Sequence, residues 1–283
     1  MKKTVTTIKI GLNAPFRVLH LSDNHLSLAD ERDDERKNLL AQRRQKEFDS
    51  AGKGVMVHIN EQLAYAKENR LPILYTGDLI DFVSHKNLET AETLFKDMDY
   101  FMAVGNHEFS LYVGEAFEDE AYKMQSYDFV QKHFRNDLTF ASREMGGINF
   151  VAADNSYYRF TENQLEKIKA EVKKGLPIVL MLHCPLHTDE LYHLIMDDLH
   201  FPCAYLTGTP ERLLKPYDDY RYRQQKPDEA TDAFINYVHS CPSIKAILAG
   251  HLHENCESLL PSGLKQYITG GGYKGYAREV EFC

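Results

Sequence analysis

Residues 16–25 read FRVLHLSDNH, a mostly apolar run that ends on Ser22, Asp23, Asn24 and His25. Four more apolar runs end the same way: LPILYTGD (71–78), YFMAVGNHE (100–108), PIVLMLHCP (177–185) and IKAILAGHLH (244–253). Short apolar runs bounded by turn residues read as strands. If they are strands of one sheet, their carboxyl ends carry Asp23, His25, Asp78, Asn106, His107, His183, His251 and His253 to one edge. In open α/β sheets that edge is where ligands sit.

The segments between these runs alternate strand and helix, which favours a sheet covered by helices. ADERDDERKNLLAQRRQKEFDSAGKG (29–54), dense in both charge signs, reads as a solvated helix with i,i+4 pairs and a glycine turn behind it. VMVHINEQLAYAKEN (55–69) places Ile59, Leu63 and Ala66 on one helix face, and DEAYKMQSYDFVQKHF (119–134) reads as another helix. LTFASRE and INFVAADN, joined at Met145-Gly146-Gly147, read as a hairpin, since Gly-Gly supplies the positive φ of a tight turn. TENQLEKIKAEVKKG (161–175) opens with Thr161 and Gln164 in capping-box spacing and ends on Gly175. DEATDAFINYVHS is a helix, and KQYITGGGYKGYAREVEFC is two strands about a glycine-rich turn. Residues 186–227, with several prolines and no clean period, read as an insertion over one end of the sheet. The expectation is a single domain over 1–283, with insertions at about 29–54 and 186–227.

The chain has 283 residues, 43% hydrophobic and 27% charged, which suits a globular protein with a sizeable core. A net charge of −9 argues against a ligand of long nucleic acid, because that mode needs a basic stripe, but permits a small phosphorylated substrate. Five scattered cysteines without a C-x-x-C pair form no zinc or disulfide framework. The start lacks the apolar core of a signal peptide, and no run approaches a membrane span. The location expected is the cytoplasm, without membrane contact; oligomeric state is left open.

Asp23 and His25 lie two apart at a strand end, as do His251 and His253, so each pair leaves one face and can close on a metal. Asp78 and Asn106 follow Gly77 and Gly105, which permit a sharp exit from the strand. Imidazole, carboxylate and amide oxygen without thiolate suit Mn, Fe, Zn, Ni or Co. Four histidines, two aspartates and one asparagine exceed one tetrahedral site, and a carboxylate bridging two ions uses the surplus. Two such ions, divalent or trivalent and ~3.5–4 Å apart, can share a water and clamp both the attacking and leaving oxygens at phosphorus. The chemistry expected is hydrolysis of phosphomonoesters or phosphodiesters by a metal-bridging hydroxide. His107, beside Asn106, is placed to protonate the leaving oxygen or to stabilise the charge developing on it.

In order, Asp-x-His (23–25), Gly-Asp (77–78), Gly-Asn-His-Glu (105–108), the strand-end His183 and Gly-His-x-His (250–253) resemble the calcineurin-like metallophosphoesterase superfamily. The resemblance implies an α/β fold of two packed mixed β-sheets flanked by helices, a four-layer sandwich. It implies that Asp23, His25, Asp78 and His253 hold one ion and Asp78, Asn106, His183 and His251 the other, with Asp78 as the bridge. His107 takes the non-ligand catalytic place, and Glu108 orients it from behind.

Other polar residues have plainer readings. His20, inside the first run, is structural; His58, His133, His193, His200 and His239 are structural or solvated, and His85 and His187 belong to surface or loops. Asp81 is a cap or an acceptor behind the ligands, Asp154 and Asn155 are turn residues, and Cys184 is a buried thiol facing away from His183. Gly270, Gly271 and Gly272 make a turn near the cleft, lacking the rest of a P-loop. Tyr217, Tyr220, Arg221, Tyr222 and Arg223 form either a lid that meets phosphate or base, or a surface loop. Two alternatives to the small-molecule hydrolase stand: a DNA or RNA nuclease of the same superfamily, and a non-catalytic metal-binding scaffold.

Overall fold

All five apolar runs are strands, in a computed structural model that describes residues 1–49 and 53–283. They do not share one sheet. β2 (Phe16–Leu21), β3 (Ile73–Tyr75) and β4 (Tyr100–Met102) are parallel neighbours in a five-stranded sheet of order β1-β11-β2-β3-β4, with β1 at Lys2–Ile8 and β11 at Tyr276–Phe282. β7 (Ile178–Met181) and β8 (Ile244–Ala249) lie in a six-stranded sheet of order β5-β6-β7-β8-β10-β9. The remaining strands of that sheet are β5 (Phe140–Met145), β6 (Ile148–Ala153), β9 (Cys256–Leu259) and β10 (Lys265–Ile268). Both sheets mix parallel and antiparallel pairs.

Alternation along the strands explains why the runs read as continuously apolar. Val18, Leu74, Phe101, Val179, Met181, Ala246 and Leu248 point between the sheets, where they meet Phe150, Val280 and Phe282. Their neighbours Leu19, Leu21, Ile73 and Tyr75 point outward, under α2 (Val55–Asn69) and α3 (His85–Phe95). On the second sheet Ile178, Leu180 and Ile247 pack under α6 (Glu162–Val172) and α10 (Glu229–Ser240). Sheets covered on both faces lose the polar half of the period-two pattern. The four-layer sandwich is thus present, helices outside and two mixed sheets within.

Local signals set the element ends. Gly146 and Gly147 carry φ of 59° and 79°, so the β5–β6 hairpin turns as the glycine pair requires. Thr161 and Gln164 close a reciprocal capping box on α6. One expectation needs revision and two gain detail. The helix expected over 119–134 is two short helices, α4 (Glu120–Met124) and α5 (Tyr127–Gln131), parted where the Ser126 hydroxyl donates to Phe109 O. The two strands of the carboxyl-terminal glycine segment do not pair with each other, because β10 joins the second sheet and β11 crosses into the first. Within 186–227 there are α7 (Asp189–His193), a π-turn (Leu194–Asp198), α8 (Glu211–Leu214) and α9 (Asp219–Gln225). These pieces bury Leu191, Ile195, Leu206 and Leu214 over Ala249, Leu252 and Ile268 at the end of the second sheet.

The charged stretch forms α1 (Glu35–Phe48), capped by Asp34, whose carboxylate accepts from Lys37 N at 2.8 Å. The glycine turn expected behind it lies partly outside the described residues. Contrary to a purely solvated reading, α1 buries Leu40, Ala41 and Phe48. No helix among the described residues is long and apolar enough to cross a membrane.

Candidate metal centre

The carboxyl ends of β2, β3 and β4 meet those of β7 and β8 across the seam between the sheets. His183 Nδ1 donates to Thr76 O at 2.6 Å, and His251 N donates to Asp23 at 3.0 Å, so each bond ties one sheet to the other. All seven candidate ligands converge at this seam.

Their backbone is unusual. Asp23, His25, Asp78, His251 and His253 have φ of 56°, 52°, 56°, 70° and 57°, the left-handed region that L-residues avoid. The pairs therefore do not leave extended strands as the spacing suggested; each loop turns back at every second residue. The residue between is anchored elsewhere. Asn24 accepts from Tyr75 Oη at 2.7 Å and donates to Gln62 Oε1 at 3.0 Å, and Leu252 is buried under the insertion. With those anchors fixed, the flanking ligands can only face the seam.

Gly77 and Gly105 serve different needs. Gly77 has φ of 92°, and a Cβ there would stand 2.5 Å from Gly105 N and 2.6 Å from His183 Nδ1. Gly105 has no positive φ; a Cβ would collide with the Asp78 carboxylate. Close approach, more than a sharp exit, is what both positions supply.

Two groups of donor atoms share Asp78. The first comprises His25 Nε2, His253 Nε2, Asp23 Oδ1 and Asp78 Oδ2: the imidazole nitrogens are 2.9 Å apart, and His25 Nε2 lies 3.7 Å from Asp78 Oδ2 and 3.9 Å from Asp23 Oδ1. The second comprises His183 Nε2 with Asp78 Oδ2 at 3.1 Å, Asn106 Oδ1 at 3.2 Å and His251 Nδ1 at 3.0 Å. Asp23, His25, Asp78, His183 and Asn106 are buried.

The outward ring atoms decide what faces inward. His25 Nδ1 donates to Asp81 Oδ1 at 3.0 Å and His183 Nδ1 to Thr76 O, which leaves Nε2 of each to point a lone pair at the other donors. His251 Nε2 meets Tyr158 Oη at 2.9 Å, leaving Nδ1 inward. Burial pushes His25 down to about 4 and, with His183 beside it, holds His251 well below the ordinary imidazole range. His183 behaves oppositely: burial lowers it, but the Asp78 and Asp23 carboxylates outweigh that and carry it to about 9. Acceptors facing acceptors require a positive charge between them, either a proton or an ion. The donor set, imidazole with carboxylate and one amide oxygen, fits a transition metal at each of two positions.

Behind the donors stands Asp81. Its carboxylate takes His25 Nδ1, Arg44 Nε at 2.6 Å and Arg44 Nη2 at 2.8 Å, and lies 3.1 Å from His107 Nδ1. Burial raises Asp81, but Arg44, His107 and His25 hold it well below the carboxylate range. With both oxygens committed to Arg44, Asp81 is an acceptor that orients histidines. His107 Nδ1 also donates to Asp81 O at 2.7 Å, and its ring reaches the cleft beside Asn106.

Glu108 corrects one expectation. Its carboxylate does not touch the His107 ring; it accepts from the backbone N–H of Asp78 (2.9 Å), Leu79 (2.7 Å), Ile80 (3.2 Å) and Gly105 (2.7 Å). A short 3-10 turn at His107–Phe109 directs Glu108 inward beneath the Asp78 loop while His107 stays outside it. Glu108 therefore positions Asp78, and Asp81 positions His107.

Asn155, expected as a turn residue, is buried, and its Oδ1 accepts from His183 N at 3.1 Å and Cys184 N at 3.2 Å. The sequence carries a signal for it, since INFVAADN is a sixth apolar run ending on acid and amide. Phe48 and Arg44 carry no such mark. Phe48 stacks on His25 with centroids 4.4 Å apart, a contact that bridges residues far apart in the chain. His20 is a core residue against Thr76 Oγ1 at 2.9 Å, which burial holds near 3. The turn at Gly270–Gly272 does border the site, with Gly272 N donating to Ser22 O at 2.8 Å.

A cleft of about 630 Å³ opens above these atoms. Asp78, Asn106, His107, His251 and His253 form its floor, and Ile195, Phe201, Tyr205, Tyr220 and Arg221 of the 186–227 insertion form its roof. Arg223 lies apart, its guanidinium over Phe117 and its side chain exposed.

Comparison with known proteins follows the same lines. The family model described as calcineurin-like phosphoesterase matches residues 16–255. A dimetal phosphatase from Danio rerio has a similar fold at 13% identity and TM-score 0.50, covering 91% of this chain and 88% of that one. A calcineurin-like phosphoesterase from Bacillus subtilis aligns at 12% identity and TM-score 0.47, over 92% of this chain and 82% of the other. A 5′-nucleotidase precursor from Thermus thermophilus aligns at 12% identity and TM-score 0.44, over 95% and 54%. A search of curated proteins returns no match.

Proposed function

Because the chain belongs to the calcineurin-like phosphoesterase family and is a metal-dependent phosphoesterase, we propose that it hydrolyses small phosphorylated molecules at the seam between its sheets. Asp23, His25, Asp78 and His253 would hold one ion; Asp78, Asn106, His183 and His251 would hold the other, from among Mn, Fe, Zn, Ni and Co. When bound, such ions supply charge to the phosphoryl oxygens and ease deprotonation of water near neutral pH.

The observation that carries the reading is the sharing of Asp78: its Oδ2 lies 3.7 Å from His25 Nε2 and 3.1 Å from His183 Nε2, so one carboxylate serves both groups of donors. The chain's own residues divide the remaining work. Asp81 fixes the His107 ring through Nδ1, which leaves Nε2 directed at the cleft. As water attacks phosphorus and the ester P–O bond breaks, Nε2 gives its proton to the departing oxygen and later regains one from solvent. Burial lowers His107, and without ions the Asp78 and Asp81 carboxylates outweigh it and carry it to about 10; with ions on Asp78, the Asp81 carboxylate remains to favour the protonated ring. Glu108 holds the loop that presents Asp78. A roofed cleft of about 630 Å³ suits a small ester better than a nucleic-acid duplex.

The test is His107→Asn with metal content measured alongside hydrolysis of nitrophenyl mono- and diesters. Hydrolysis should fall ~10²-fold or more while metal stays bound. A wild type that carries both ions and hydrolyses nothing supports the scaffold instead, and plasmid cleavage exceeding that of small esters supports the nuclease. Less than one metal per chain, with no activity after Mn or Fe reconstitution, overturns the proposal.

A further inference from the structure

The roof of the cleft holds a cation that, among the described residues, forms no ion pair. Arg221, on α9, lines the cleft with His107 and His251. Its guanidinium lies against two aromatic faces, 5.2 Å from the Tyr205 centroid and 5.0 Å from that of Tyr220. A guanidinium has five N–H donors. Arg221 uses one of its donors on the neutral Gln224 Oε1, at 2.7 Å, and among the described residues it forms no ion pair, the Glu118 carboxylate acting on it through space with Gln224 between them. A half-buried cation held in place by neutral groups is an anion receptor in form, since desolvation without a partner is costly.

The other charges on the lining are already engaged. Lys274 pairs with Glu254 at 3.2 Å; the Asp218 carboxylate caps α9 by accepting from Arg221 N at 2.7 Å; and Glu118 accepts from Gln224 Nε2 at 2.8 Å. In the roof, the Arg221 guanidinium faces the cleft with donors to spare. It is also set back from the metal centre. Tyr205 contacts both Arg221 and His251, the latter with ring centroids 5.7 Å apart, so one aromatic side chain spans from the guanidinium to a candidate ligand. A phosphate held at the floor would have its ester group, not its own oxygens, directed toward the roof. Phe201, 45% exposed, adds an apolar wall beside that position.

We propose that Arg221 is a specificity-determining residue which takes a second anionic group, phosphate or carboxylate, carried by the leaving group of a small phosphoester. The proposal rests on the hydrolase function argued above. It makes the substrate a molecule with two anions, one at the floor and one at the roof. Gln224 holds the guanidinium in register through its amide oxygen while its amide nitrogen is tied to Glu118.

The experiment compares kcat/KM for matched pairs on the metal-reconstituted protein: fructose 1,6-bisphosphate with fructose 6-phosphate, adenosine 3′,5′-bisphosphate with adenosine 5′-monophosphate, and 3-phosphoglycerate with glycerol 3-phosphate. Nitrophenyl phosphate is the single-anion reference. Wild type should prefer the two-anion member of at least one pair by ~10-fold, the worth of one charge-assisted contact. Arg221→Gln should remove that preference, Arg221→Lys should keep part of it, and Arg223→Gln, outside the cleft, should keep all of it. No preference in any pair overturns the proposal, and the wild-type arm decides this even if a variant fails to fold. Equal losses on the bisphosphate and on nitrophenyl phosphate in Arg221→Gln also overturn it, by placing the guanidinium on the scissile phosphate. Failure of the wild type on every ester, nitrophenyl phosphate included, instead marks failure of the underlying function.

Discussion

Five candidate ligands in left-handed backbone represent stored strain, about 1–2 kcal/mol for each L-residue. The hydrogen bonds beneath them hold it in place, and Glu108 makes four of these. Glu108→Gln keeps the shape but turns an N–H₂ toward backbone N–H groups, so it should cost ~1–3 kcal/mol. The unfolding midpoint should fall by several degrees; an unchanged midpoint refutes this role. A second prediction concerns pH. His107 is raised in the folded state, so its contribution is complete below the ordinary imidazole value, about 6.5, and lost as pH rises through about 10. After chelation, wild type should lose stability across that window and His107→Asn should lose less, as read from urea midpoints at about pH 7 and about pH 9.5. Equal losses in the two proteins would remove His107 as the cause.

Among elements, α1 has the most unexpected part. Its charge pattern describes an exposed helix, yet Arg44 and Phe48 reach Asp81 and His25 directly. Periodicity records which face of a helix is apolar and not which distant residue it meets. The strand ends were legible for the opposite reason: each ligand block follows its own strand, so local pattern and site coincide. Glu108 shows the boundary between the two cases. Its sequence neighbour His107 suggested the wrong partner, because a single 3-10 turn sends adjacent side chains to opposite sides of the Asp78 loop. Asn155 was legible in principle, by the same apolar-run rule that exposed the others. Phe48→Ala should lower stability by ~3 kcal/mol and weaken metal binding by about 10–100-fold, since the ring that steadies His25 is lost. Chelator competition measures the second effect. Unaltered affinity would show that α1 packs on the site without supporting it.

For the whole molecule, the candidate ligands come from both sheets, so binding of ions there would be linked to docking of the sheets. Each ion bound only by the folded protein should add about 2.7 kcal/mol at a free concentration of 100 times its Kd. Chelation should therefore lower the thermal midpoint, and Mn or Zn should restore it. A midpoint indifferent to both would mean that the seam holds without ions. The two-sheet arrangement was implied by family resemblance and not by the apolar runs, which look alike whichever sheet they join. Strand pairing is decided by crossings such as β10 to β11, and no local pattern encodes them.

The place of β11 bears on the order of assembly. It lies between β1 and β2, so two strands that are neighbours in the chain are bridged by one that follows them at long range in the sequence. A nascent chain extended as far as His253 already carries all seven ligands. The first sheet is still open at its middle, however, and the strand that leads to Asp23 lacks a partner on one side. Closing that gap requires a pairing that spans most of the sequence, the kind of contact that slows folding. Residues 276–282 must pair before the sheet beneath Asp23 is complete, so a rigid centre is expected only after that long-range contact has formed.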